Sequence, residues 1–318
     1  MDETKPVETS VEASSVEGPV DPIPPSGAFD ASPPAIPPTH YTFSGPSGVG
    51  WGFLLYLLMC VVAGALLSFV AQAFHAPRIW GMLIGEGIGV CAAMIPAVVM
   101  ARLEGRSFGE YGLPRAGAFG AGFWQGLLWG LASLTLLMLA LRAFNAFYFG
   151  SIVLHGLRIF KFAIFWGVVF LVVGFFEEFL LRGYTQFTLS RGLGFWPTAI
   201  ILSTSFGAMH IANKGESLVG AAAAALIGLF FCLTLRRTGN LWFAVGLHAS
   251  WDWGETYLYS VPNSGLVAPG HLLGSSFQGS RWLTGGSVGP EGSVLVFAVI
   301  AAMWIVFDRT HRVARYPN

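Results

Sequence analysis

The feature that most constrains this chain is the uncharged stretch Phe162-Ala-Ile-Phe-Trp-Gly-Val-Val-Phe-Leu-Val-Val-Gly-Phe-Phe176, which runs straight into Glu177-Glu178-Phe-Leu-Leu-Arg182. The stretch is long and apolar enough to begin a membrane span. Apolar or weakly polar residues resume after Arg182 as far as Leu189, which puts the charges inside the span. An ionisable side chain at that depth costs roughly 2.5–3.5 kcal/mol on insertion scales, so it is by default a functional-site candidate. The bland alternative, that the charges mark the cytoplasmic end of a helix, is weighed down by similar polar groups in two later spans.

The rest of the chain agrees with a membrane setting. Of its 318 residues, 54% are hydrophobic and 11% charged, where a soluble domain carries about 25% charge. Apolar runs fall near 51–74, 80–101, 119–141, 159–189, 195–213, 218–236, 241–261 and 291–308. The expected fold is therefore all-α, a polytopic membrane bundle of about eight transmembrane helices over residues 46–318, with its motifs concentrated in 159–261. Gly and Pro punctuate several runs, which neighbouring helices in lipid accommodate. Residues 1–45 hold seven acidic side chains, many prolines and the single Lys5, and are expected to be a disordered tail. They show neither the basic start nor the early apolar core of a secretory signal.

Net charge is zero, so nothing points to a nucleic-acid partner. Cys60, Cys91 and Cys232 each lie inside an apolar run without metal-ligand spacing, and read as small core residues. Basic residues set the orientation. With the N-terminus inside, inner segments hold Lys5, Arg102, Arg106, Arg115, Arg182, Arg191, Arg236, Arg237, Arg309, Arg312 and Arg315. Outer segments hold Arg78, Arg142, Arg158, Lys161, Lys214 and Arg281, eleven against six, or ten against six once Arg182, placed within the membrane, is dropped. Both termini are expected in the cytoplasm, in a multi-pass protein of the cell (plasma or inner) membrane.

Two histidines join the carboxylate pair: Phe206-Gly-Ala-Met-His210 and His248-Ala-Ser-Trp-Asp252. At ~1.5 Å of rise per residue, Glu177 and His210 both lie about 20 Å from the inner face. His248 and Asp252 lie roughly 12 and 18 Å deep by the same arithmetic. Glu178 and Arg182 are four apart on one helix face, with the acid N-terminal, as an ion pair prefers. Glu177 is rotated about 100° from Glu178 and is left to face a cavity. His248 and Asp252 are also four apart, a spacing that orients an imidazole or puts two ligands on one centre. Phe206 shares a face with His210 and could wall that ring.

A carboxylate and imidazoles around a wet cavity suit water activation. Glu177 is expected to accept the proton of a water and His210 to help hold that water. His248 and Asp252 are expected to orient a scissile carbonyl or to bind a metal. Glu178, Arg182 and Phe206 take structural and orienting parts.

These three motifs resemble the CAAX-protease and bacteriocin-processing family of intramembrane proteases, which includes the eukaryotic type II CAAX prenyl endopeptidase. The family pattern is Glu-Glu-x-x-x-Arg, Phe-x-x-x-His, then His-x-x-x-Asn or Asp, and it is met here by Glu177-Glu178 with Arg182, Phe206 with His210, and His248 with Asp252. The loop Leu283-Thr-Gly-Gly-Ser-Val-Gly-Pro-Glu-Gly292 also looks like bacterial members. The resemblance implies an eight-helix bundle with a cavity open to the cytoplasm and an endopeptidase acting on a membrane-associated peptide or lipidated protein, either a prenylated CAAX tail or a bacteriocin-type substrate. It implies Glu177 as general base with His210 as its partner on the water, and His248 with Asp252 on the oxyanion or on a metal. The family is described both as zinc-type and as metal-independent. A zinc ion on Glu177, His210, His248 and Asp252 therefore stays open. Asp252, where Asn is common, would be a poor oxyanion donor but a reasonable ligand or histidine orienter.

Other polar residues take blander readings. Glu86 is expected to pair with a neighbouring helix, Glu255 to be exposed or paired at a cavity rim, and Trp251 and Trp253 to pack against lipid or helices. Two other function classes compete with proteolysis. One is a proton-coupled transporter, against which no internal repeat is found. The other is a non-catalytic immunity or scaffold protein that binds a peptide in the same cleft.

Overall fold

The computed structural model describes Phe43 and residues 45–73, 77–213 and 215–316. Apart from Phe43 and Gly45, the tail expected to be disordered lies outside the described residues, as do His75 and Lys214. The chain is an all-α polytopic membrane bundle. Its long helices are α1 (Gly45–Gln72), α2 (Arg78–Leu103), α3 (Ala121–Ala143) and α4 (Leu157–Arg182). Then come α5 (Tyr184–Leu193), α6 (Phe195–His210), α7 (Leu218–Thr238) and α8 (Trp242–Trp253). A one-turn α9 (Arg281–Thr284) precedes α10 (Leu295–Thr310).

Helices thus form over all eight apolar runs, with two departures. Five of the spans, α4 and α5 counted as one, are long and apolar enough to cross a membrane by themselves. Helices α6, α8 and α10, of 16, 12 and 16 residues, are shorter. The fourth run is also not one helix: it breaks at Gly183, immediately after Arg182.

Helix α1 carries Leu58, Val61 and Phe69 exposed, a face that lipid accepts and water would not. Cys91 belongs to a similar stripe on α2 with Ile95 and Val99, all exposed. It is not the core residue expected, because that stripe looks outward where any apolar side chain suffices. Cys60 is partly buried, Cys232 is buried, and all three are free thiols.

Helix α8 is different: every residue from Trp242 to Asp252 is buried. A helix apolar and buried all round sits in the middle of its neighbours, here α3, α4 and α7. Its closest partner is α3. A Cβ on Gly130 would stand 2.3 Å from the carbonyl oxygen of Leu247, and one on Gly246 2.2 Å from that of Phe123. The two backbones therefore touch, the small-residue contact that holds helices together where lipid supplies no hydrophobic drive. The chain enters α8 through Gly239, whose φ of 80° lets the end of α7 reverse direction. It leaves through a π-helical turn, Gly254–Leu258, an irregularity common near functional sites.

Two connections that sequence periodicity does not show brace the bundle. A two-stranded antiparallel ribbon joins β1 (Phe147–Tyr148) to β2 (Ser276–Phe277), with Phe147 opposite Phe277. At the end of α2, buried Glu104 accepts hydrogen bonds from Tyr184 Oη (2.7 Å) and Tyr111 Oη (3.3 Å) and pairs with Arg106 and Arg191. That carboxylate ties α2 to α5.

Candidate active site

The last turn of α4 supplies the carboxylates and the guanidinium. Glu178 and Arg182 are fully buried, and Arg182 Nη1 donates to Glu178 Oε1 at 3.1 Å. The Arg182 guanidinium also lies 4.8 Å from the ring centroid of Phe206 and 5.5 Å from that of Phe231. Its Nε and Nη2 have no hydrogen-bond acceptor, so the aromatic faces are what balances the rest of its charge. Phe206 has a second contact, meeting the His210 ring edge-on at 4.5 Å.

His248 enters from α8, stacked parallel on Phe231 at 5.5 Å. Its Nδ1 lies 2.9 Å from Glu178 Oε1. Its Nε2 lies 3.5 Å from Asp252 Oδ2 and 3.7 Å from Glu177 Oε2, the latter too long for a hydrogen bond. Glu178 therefore does more than neutralise Arg182: it also holds Nδ1 of the imidazole. Asp252, which the spacing offered as orienter, stands on the opposite nitrogen. Glu177, its side chain 30% exposed, is rotated away from Glu178 toward a cavity.

That cavity, about 390 Å³, is lined by Glu86 of α2, Glu177 of α4, His210 of α6, and His248 and Asp252 of α8. His210 is the last residue of its helix, and its Nδ1 is held 2.9 Å from its own Phe206 carbonyl oxygen. It shares the cavity with Glu177 and His248, yet among the described residues no hydrogen bond or ion pair joins it to either.

Four further carboxylates belong to the neighbourhood. Glu86 lines the cavity and makes no hydrogen bond or ion pair among the described residues, so it does not pair with a neighbouring helix. Glu291, just before α10, accepts both the N–H and the O–H of Ser264. Glu216, between α6 and α7, is held above the usual carboxylate range by burial. The Ser217 N–H opposes that rise, nearby Glu291 adds to it and His210 opposes it. Glu255 is not exposed at a rim. It is fully buried, and Trp251 Nε1 donates to its Oε1 at 3.1 Å. Trp253 Nε1 donates to the Ala163 carbonyl.

The four donors named for zinc do not all converge on one centre, although Glu177 and Asp252 both approach His248 Nε2. Among the described residues, the only group of three or more His, Cys, Asp or Glu whose ligand atoms all lie within 4.8 Å of one another is Asp252, Glu255 and Glu291. A tetrahedral zinc site holds its ligands at about 2.0–2.3 Å from one centre. Glu177, His210, His248 and Asp252 do not meet that demand as they stand, and no step below is routed through a metal.

A buried carboxylate-imidazole pair facing a cavity inside a membrane bundle is suited to activating water. Residues 159–254 match the family model of the type II CAAX prenyl endopeptidase, Rce1-like. The match spans all three motifs. No curated protein and no solved structure matches the chain.

Proposed function

We propose that this protein cleaves a peptide bond of a membrane-associated substrate by glutamate-assisted attack of water. The observation that carries this reading is the pair of cavity-facing atoms, Glu177 Oε2 and His248 Nε2, 3.7 Å apart, with the far nitrogen of the imidazole anchored on Glu178. Glu177 takes a proton from water while the oxygen adds to the scissile carbonyl carbon. His248 faces acceptor-only carboxylates on both sides, an environment that an imidazolium satisfies with its two N–H groups. Its Nε2–H donates to the oxyanion as the carbonyl becomes tetrahedral. Glu177 then delivers the proton to the amide nitrogen, the C–N bond breaks, and the amine leaves. His210, with Nδ1 tied to its own helix, has Nε2 free to hold the water. Asp252 keeps His248 from turning, and Glu178, Arg182 and Phe206 hold the assembly in place.

The test is purified protein in lipid nanodiscs, with membrane-anchored peptides followed by mass spectrometry. Glu177→Gln is expected to lower cleavage by at least about 100-fold, the usual scale for losing a general base, with the fold retained. Undiminished cleavage would remove Glu177 from the mechanism.

A further inference from the structure

The geometry points to a cationic peptide as the substrate, with Glu86 of α2 binding one of its lysine or arginine side chains; this rests on the proteolytic reading above. Five carboxylates line the cavity, from Glu86, Glu177, Glu216, Asp252 and Glu291, and no Lys or Arg does so among the described residues. Four of the five have local work. Glu291 accepts from Ser264, one oxygen of Glu216 accepts from the Ser217 amide, and Glu177 and Asp252 flank His248 Nε2. Glu86 has no hydrogen bond or ion pair among the described residues. Arg182 is buried and spent on Glu178 and two aromatic rings.

Glu86 is also placed where a bound peptide would pass. Gly89, one turn further along α2, comes so near α4 that a Cβ there would stand 2.9 Å from the ring of Phe176, the residue before Glu177. Residues three apart share a helix face, so Glu86 is aligned with the part of α4 that carries the general base. A carboxylate among apolar walls is costly without a partner, and a cationic side chain delivered by substrate supplies one. A peptide carboxylate in the same space would face five carboxylates, with His248 already held between Glu177, Glu178 and Asp252.

The experiment uses the full chain in nanodiscs and membrane-anchored peptides that differ only in Lys, Gln or Glu at one position, scanned along the sequence. Cleavage is read as kcat/KM, and binding is read separately by fluorescence anisotropy on the Glu177→Gln protein. At one position Lys is expected to exceed Gln by about tenfold or more, the scale of a charge-assisted hydrogen bond, with Glu weakest. That ratio should fall toward unity in Glu86→Gln and invert in Glu86→Lys. A wild-type protein indifferent to charge overturns the inference, whether or not the variants fold, and so does a preference unchanged in Glu86→Gln. If Lys peptides bind preferentially but nothing is cut, the proteolytic reading falls and the charge inference stands. Cleavage without charge preference gives the reverse.

Discussion

Nδ1 of His248 lies 2.9 Å from Oε1 of Glu178, and the two residues are 70 positions apart on α8 and α4. The same oxygen accepts from Arg182 Nη1 at 3.1 Å. One fully buried atom therefore carries both the ion pair of the first motif and the orientation of the third.

Removing that carboxylate should strand Arg182 as an unpaired buried charge. Breaking one half of a buried pair costs about 3–5 kcal/mol, so Glu178→Ala is expected to lower the thermal midpoint in detergent sharply and to abolish cleavage. The double variant Glu178→Gln with Arg182→Met removes both charges, and should regain much of the stability while staying inactive. Recovery of cleavage together with stability would show that Glu178 does not orient His248.

Chelation should be without effect. Because the zinc-type donors do not converge, exhaustive treatment with a strong zinc chelator is expected to leave cleavage in nanodiscs intact, with metal content checked by elemental analysis. Activity lost on chelation and restored by zinc would replace the glutamate mechanism with a metal-assisted one.

The α3–α8 seam should tolerate almost no added volume. A Cβ on Gly130 would come 2.1 Å from Ser250 Oγ and 2.3 Å from the Leu247 oxygen. Gly130→Ala is therefore expected to cost about 1–3 kcal/mol or more through overpacking and to depress kcat by shifting His248. Gly122→Ala, on the same helix with open space around it, serves as the control and should be neutral or slightly stabilising. Equal melting curves for the two variants would count against the backbone contact.

The anchor at the end of α2 should matter for stability and not for chemistry. Tyr184→Phe removes the 2.7 Å hydrogen bond to buried Glu104 and is expected to cost about 1–3 kcal/mol. kcat/KM should stay near wild type at temperatures where the protein is folded. A large loss of activity without a loss of stability would place Tyr184 in the site itself.

The helices and the three motifs were legible in the sequence for simple reasons. Long apolar runs must be helical in lipid, and charges within them are too costly to be incidental. The spacing of four between Glu178 and Arg182 also translated directly into the ion pair. What periodicity cannot supply is the rotation of one helix against another. It offered Asp252 as a partner for His248 and did not offer Glu178, because i and i+4 neighbours are visible in a linear chain and a residue on another helix is not. The same limit hid Glu86, Glu291 and Glu104, whose parts depend on which elements close around them. Glu255 was misplaced because α8 passes into a π-helical turn, which changes the facing of the residues that follow it. The burial of α8 on every side gave no amphipathic signal that would have marked it as the centre.

The direct backbone contact of α3 with α8, together with the charged clasp between α8 and α4, makes those three helices one rigid block. A peptide cannot reach Glu177 by parting them without exposing Arg182 or opening the glycine seam. Substrate therefore has to come to Glu177 through the cavity itself, between Glu86 of α2 and His210 at the end of α6, and not between those three helices.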